Sequence, residues 1–266
     1  METGVCIFSG VDYPEMVEIF KKYGIKRTFI GSEEPDFDNV MKLFSENGII
    51  CETLHAPFRE INDMWSNDEE AAKKMMDRLK DAIDKCSKNN IPVVIVRLSS
   101  GMPMPQMNEK GIKRFEEIFD YADERNVKIA LENQRYLENL EYFLNKYPNT
   151  GFCWDTGHEF ALSTNTDIKY MERFGKRTVA LHIHDNRCEF NKDDHLIPYD
   201  GGIDFDYVAK AISQSGYSGT LMLEIGKNAQ MDDVKTYENI SSEEFIKRAY
   251  DALCRLNVSV ARYNEK

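Results

Sequence analysis

Histidine is scarce in this chain, with five copies in 266 residues. The chain also lacks any CxxC pair, any long apolar run and any surplus of basic charge. Each absence excludes something. With no stretch near the roughly 18 apolar residues of a membrane span, a spanning helix is not expected. The six cysteines, at 6, 51, 86, 153, 188 and 254, are too widely spaced for a motif and read as reduced thiols, mostly buried. Cys188 is set apart only by lying near histidines. The opening METGVCIFSG has no basic n-region and no cleavable apolar segment, so no secretory leader and a cytoplasmic location are expected. The formal net charge of −12 argues against gripping a nucleic acid backbone and suits a small neutral or cationic substrate. No glycine-rich phosphate loop is present, and Arg59, Arg97, Arg135 and Arg187 are scattered along the chain. What remains is an ordinary globular composition, 42% apolar and 30% charged, long enough to bury a large core.

What the chain does have is alternation. Short β-branched or apolar runs lie at 4–10, 25–32, 49–58, 91–101, 127–133, 150–158, 178–186 and 219–226. Segments of helical spacing follow each of them: YPEMVEIFKKYG, FDNVMKLFSENG, EEAAKKMMDRLKDAIDKCSKNN, GIKRFEEIFDYADERN, YLENLEYFLNKYPN with DIKYMERFGK, DFDYVAKAISQSG and SSEEFIKRAYDALCRLN. Several begin with acidic or hydroxyl residues and end in Gly or Asn, as capped helices do; Ser241-Ser242-Glu243-Glu244 is one such start. Eight strand–helix units predict an α/β fold, a single (β/α)8 barrel over residues 1–266, with an open doubly wound sheet as the competitor. No linker or low-complexity stretch divides the chain.

Side chains alternate across a strand. In the seventh run Val179, Leu181 and Ile183 share the helix-facing side, which turns Ala180, His182 and His184 inward. The same parity turns Ala130 and Glu132, Cys153 and Asp155, and Met222 and Glu224 inward. Glu132, Asp155, His182 and Glu224 then fall at the C-terminal ends of four strands, where barrel active sites are built. Three carboxylates at close range repel one another and raise their own pKa values. A divalent cation removes that penalty, and three carboxylates with one imidazole suit Mn²⁺, Mg²⁺, Co²⁺ or Zn²⁺. All five histidines, at 55, 158, 182, 184 and 195, lie at or just beyond a strand's C-terminal end. A core role for one buried histidine is ordinary; this placement of all five points to a site.

The pattern resembles the xylose-isomerase-like barrel superfamily of sugar isomerases and epimerases, inosose dehydratases and endonuclease IV. The likeness rests on HAP at 55–57, LEN at 131–133, DTGH at 155–158, HIHD at 182–185, DDH at 193–195 and LEI at 223–225, in order along nearly the whole chain. In the ketose 3-epimerase branch the resemblance implies one divalent cation, Mn²⁺ first, on Glu132, Asp155, His182 and Glu224. It also implies that His158 contacts substrate oxygens and that Arg187 is near a substrate-binding arginine, without a clean match in spacing. His55, His184 and His195 join them as candidate substrate-binding residues. The endonuclease IV branch carries three zinc ions, and most of its ligands have counterparts here: His55, Glu132, Asp155, His158, His182, Asp193, His195 and Glu224. Its fourth-strand histidine does not. Arg97 stands near that place, and arginine, always protonated, ligates no metal. Phosphodiester hydrolysis is therefore the less expected branch. Asp193 and His195 leave open a second metal or a role in closing the site.

The chemistry implied is proton abstraction beside a carbonyl. The cation stabilises an enediolate, with Glu132 and Glu224 as the acid–base carboxylates. Returning the proton gives epimerisation or isomerisation of a sugar. Expelling a group beta to the lost proton gives a lyase or dehydratase acting on an oxo-sugar, an inosose or a 3-oxo-glycoside, C-glycosides included, with His158, His184 or His195 as the acid. A barrel that only binds sugar or metal has no need of both carboxylates. The loop NRCEFNKDDHLIPYDGGIDF is expected to cover the site, and Phe58, Met64 and Trp65 to form an apolar wall or a subunit contact. A homo-oligomer fits barrels of this kind, and no feature of the sequence sets its number.

Overall fold

The computed structural model describes residues 1–162, 169–232 and 234–265. Eight parallel strands alternate with helices: β1 (Glu2–Ser9), β2 (Arg27–Gly31), β3 (Ile50–His55), β4 (Val93–Val96), β5 (Lys128–Glu132), β6 (Gly151–Asp155), β7 (Thr178–His182) and β8 (Thr220–Gly226). The helices are α1 (Tyr13–Tyr23), α2 (Phe37–Glu46), α3 (Glu69–Lys88), α4 (Glu109–Asp123), α5 (Leu137–Lys146), α6 (Thr156–Ala161), α7 (Tyr170–Phe174), α8 (Phe205–Ser215) and α9 (Ser242–Asn264). Local chemistry sets their ends. Asp12, Asp68, Asn108, Asp204 and Ser241 each cap a helix N-terminus by accepting a backbone N–H. Gly24 and Gly216 end α1 and α8 in the left-handed conformation, at φ 72° and 77°.

β2 to β7 form one continuous parallel sheet, and β8 pairs with β1. The two pieces join where Ile183, just past β7, bridges Leu223 of β8: Ile183 donates to Met222 O at 2.8 Å and Glu224 donates to Ile183 O at 3.0 Å. β1 lies beside β2 without a ladder among the described residues. The order is that of an eight-stranded barrel whose loosest seam is β1–β2.

The alternation of side chains splits the strands as expected. Ile129, Leu131, Phe152, Trp154, Leu181, Ile183, Leu221 and Leu223 belong to the large core between strands and helices. Ile95, Ala130, Cys153 and Ala180 pack together on the inner side, and Cys6, Phe29 and Met222 form a second inner group. All six cysteines are free, four of them buried, while Cys188 and Cys254 are exposed.

Three local expectations change. The run at 150–158 is not strand throughout: Asp155 caps α6 by accepting the His158 N–H at 2.7 Å, so the chain turns into helix at Thr156. The helix expected at 167–176 is seen as α7 followed by a 3₁₀ turn at Gly175–Arg177, and residues 167–168 lie outside the described residues. Met64 and Trp65 line no site. A 3₁₀ turn at Ile61–Trp65 buries both, and the Trp65 indole donates to Leu98 O at 2.7 Å and packs against Phe115 and Phe143. Among the described residues no helix is long and apolar enough to cross a membrane.

Candidate metal centre and active site

Two residues beyond the inner apolar layer, the same strands end in polar side chains. Glu132, Asp155, His182 and Glu224 each offer a ligand atom, and these atoms all lie within 4.8 Å of one another. His182 Nδ1 is 2.6 Å from Glu132 Oε1 and 3.3 Å from Glu224 Oε2. Phe29, inward from β2, stacks on the His182 ring at 4.5 Å and 13° and fixes its plane. Asn133 ties β5 to β6 from both ends of its amide: it donates to Asp155 O at 2.9 Å and accepts from Asp155 N at 2.8 Å. Gln134 donates to Glu132 Oε2 at 3.1 Å. Asn133 is the last residue of the LEN motif, whereas the only signal for Gln134 is its place two residues after Glu132.

The remaining histidines converge on the same place. His55 donates from Nδ1 to Ala56 O at 2.7 Å, which leaves Nε2 facing Glu132 Oε2 at 3.8 Å. His158 Nδ1 lies 3.5 Å from Asp155 Oδ2, and its Nε2 is 3.3 Å from Asp193 Oδ2. His184 Nε2 is 3.1 Å from Asp155 Oδ1. His195 stacks on His184 at 3.9 Å and points Nε2 at Asp193 Oδ2, 3.4 Å away. A methyl group at Gly157 would sit 1.9 Å from the His184 ring, so glycine in DTGH is what lets that ring lie there. His195 itself adopts φ 51°, a left-handed conformation that costs a non-glycine residue energy. The loop after β7 holds it there through Asp185, whose carboxylate accepts from Asn186, Tyr199, Gly201 and Ile203 at 2.8 to 3.0 Å.

Arg187, expected at the substrate, is engaged elsewhere. Its guanidinium pairs with Asp194 at 2.7 Å and Asp232 at 2.9 Å, which clamps the β7 loop to the loop after β8. The arginine that does reach the site is Arg97, one residue past β4, which donates from Nε to Glu132 Oε2 at 2.6 Å.

A cavity of about 650 Å³ opens over this cluster at the C-terminal end of the barrel, beside the β1–β2 seam. Glu224, His55, Arg97, Asp193 and His195 reach its wall, with Phe8 and Phe58 further out. Glu132, Asp155, His158, His182 and His184 lie behind them, buried. The two carboxylates expected to act as acid and base are thus unequal: Glu224 faces the cavity, and Glu132 is spoken for by His182, Arg97 and Gln134.

The donor set fits a divalent cation. Asp155 Oδ2, Glu224 Oε2 and the outer nitrogens of several of these histidines are buried with no hydrogen-bond partner among the described residues. Unsatisfied buried oxygens of this kind ask for an ion. Protons hold the charge balance otherwise. Burial alone would raise the carboxylates, yet Arg97, His158 and His182 hold Glu132 well below the usual range, and His158 and His184 hold Asp155 at about 2. Burial opposes protonation of the imidazoles as well, but the carboxylates around them prevail: His182 is raised well above its ordinary value and His184, beside Asp155, is raised to about 9. A cation entering here displaces those protons.

The chain belongs to the xylose isomerase-like TIM barrel family, whose model matches residues 15–240. Among curated proteins it is similar to the uncharacterized protein y4fM of Sinorhizobium fredii, with 31% identity over 166 residues; the match covers 59% of this chain and half of that relative's length. Among solved structures it is similar to D-psicose 3-epimerase of Clostridium cellulolyticum H10, with TM-score 0.78, 16% identity, and 98% and 99% of the two chains covered. It is also similar to the IOLI protein with a bound zinc atom, with TM-score 0.76, 20% identity, and 98% and 99% covered. At these identities the structural likeness bears on the fold alone.

Proposed function

We propose that this chain is a divalent-metal-dependent sugar isomerase or epimerase that works by removing a proton beside a carbonyl. One observation carries the reading: four buried ligand residues, Glu132, Asp155, His182 and Glu224, converge under a cavity that only Glu224 among them lines. Bound there, a divalent cation would polarise a substrate carbonyl and a neighbouring hydroxyl. The D-psicose 3-epimerase and the zinc-bound IOLI protein share this fold, which makes a metal-dependent sugar reaction the first to test.

We assign proton removal to Glu224, because it alone of the four ligand residues lines the cavity. Return of the proton by Glu224 to the adjacent carbon gives isomerisation. Epimerisation needs a proton on the opposite face: Glu132 would supply it after taking one up from solvent, with Glu224 releasing its own proton to solvent. We assign His195 and Asp193, on the loop after β7, and His55 to substrate hydroxyls, because all three line the cavity. The test is metal content of protein purified without added metal, followed by incubation with Mn²⁺ and a panel of ketoses and 3-oxo-glycosides in D₂O under NMR. About one cation per chain and deuterium entering beside the carbonyl is the expected result. A released leaving group would move the assignment to a lyase on the same centre. No bound metal and no exchange would end the reading.

A further inference from the structure

We propose that Arg97 is a catalytic residue of this centre, whose terminal guanidinium nitrogens donate to the substrate oxygen that gains negative charge as the C–H bond breaks. This rests on the proton-abstraction reading above.

Arg97 is the next inward position after Ile95, so its side chain belongs to the ring of strand-end groups. Its guanidinium is held on two sides. Nε donates to Glu132 Oε2 at 2.6 Å, and the Phe58 ring lies 4.2 Å from Cζ. These contacts fix its plane while using one of its five N–H groups. The four N–H groups on the terminal nitrogens meet no acceptor among the described residues, and the 11% of the side chain left exposed belongs to the cavity wall. Donors that face a cavity without a protein acceptor are hydrated in the free protein, and a substrate oxygen that replaces that water keeps them satisfied. The acceptor must come from the cavity.

Charge selects which acceptor. Glu132, Asp155, Asp193 and Glu224 crowd this space. His158, His184 and His195 sit against Asp155 and Asp193, so the side of the cavity that faces Glu132 and Glu224 is where a further negative oxygen most needs a fixed cation. Arg97 is that cation, and it neither loses its proton nor ligates the metal. In the step, the C–H bond breaks and its proton passes to Glu224. The C–H electron pair becomes the C=C bond of the enediolate, and the carbonyl π pair moves onto oxygen. Two Arg97 N–H groups then meet that oxygen. The sequence reverses when the proton returns, so Arg97 ends unchanged. Such donors strengthen as charge develops, which is the condition for lowering a barrier rather than only binding substrate.

The test uses Mn²⁺-loaded wild type, Arg97→Met and Arg97→Lys, each checked for fold by circular dichroism. Binding is measured by calorimetry for a four-carbon hydroxamic acid, a planar mimic of the enediolate, and for the neutral polyol of the same length. In Arg97→Met the hydroxamate is expected to weaken about 10²- to 10³-fold. Polyol binding and metal content should hold, and the D₂O exchange rate should fall with the hydroxamate. Added guanidinium should restore part of the exchange. Arg97→Lys, which keeps the charge but loses the fork, should fall between. Equal weakening of both ligands, or loss of metal from the variants, would make Arg97 a prop for Glu132 and overturn the proposal. Exchange by Arg97→Met at the wild-type rate would overturn it as well. If wild type exchanges no sugar in the panel, the proton-abstraction reading falls first and this assignment goes with it.

Discussion

On β5, Ala130 and Glu132 point the same way, one pleat apart. Cys153 and Asp155 repeat the step on β6, Ala180 and His182 on β7, Met222 and Glu224 on β8, and Ile95 of β4 with Arg97 just past its end. The lower member of each pair is apolar and packs inside the barrel; the upper is charged or titratable, and all but the partly exposed Arg97 are buried too. Glu132, Asp155 and His182 are as buried as the residues below them, so the difference lies in what each layer needs. The lower layer is satisfied by dispersion and shape. The upper layer is left with unpaired oxygens and nitrogens that packing cannot serve. One layer fixes geometry so that the other can be unstable by itself.

The sharpest way to separate the layers is to change one group in each. Glu224→Gln removes the cavity-facing carboxylate and is expected to lower sugar proton exchange by about 10²- to 10⁴-fold, read by NMR in D₂O, while the folded barrel persists by circular dichroism. Chelating the cation should abolish the same exchange, and Mn²⁺ should restore it. Ile95→Ala, one pleat below Arg97, should do the reverse. It is expected to cost about 2–5 kcal/mol in urea unfolding and leave metal content unchanged.

The pH dependence sharpens the comparison further. His184 is raised to about 9 in the fold, so its contribution to stability is complete below its unfolded value near 6.5 and is lost as pH rises through about 9. The metal-free protein should therefore lose on the order of a few kcal/mol between pH 6.5 and 9, and the metal-loaded protein should not. Asp155, lowered to about 2, works in the opposite sense: its contribution is present above about 4 and is lost in acid as pH falls through 2. Thermal melts with and without Mn²⁺ across that range decide the point. The smallest effect belongs outside both layers. Arg187→Gln breaks the pairs with buried Asp194 and exposed Asp232, neither of which lines the cavity, and should change exchange by about fivefold or less.

Much of this was legible in the chain. Strand parity is strictly local, so alternation of apolar and polar residues was enough to turn Glu132, Asp155, His182 and Glu224 to one side. Their position at strand ends then pointed to the mouth of a barrel. Arg187 misled because it sits near the expected place in sequence, yet acidic partners on two loops draw it away. Met64 and Trp65 misled because a loop position says nothing about which way a 3₁₀ turn will roll its side chains.

The sequence by itself determined the strand–helix alternation, the two faces of each strand and the residue types at the strand ends, because each depends on neighbours a few residues away. Only the tertiary structure decided that Glu224 faces the cavity while Glu132 is taken by Arg97 and His182, and that Asp193 and His195 fold back over the centre. Those outcomes depend on contacts between residues tens of positions apart, where competition among partners for the same carboxylate is settled by distance and burial and leaves no periodic trace in the chain.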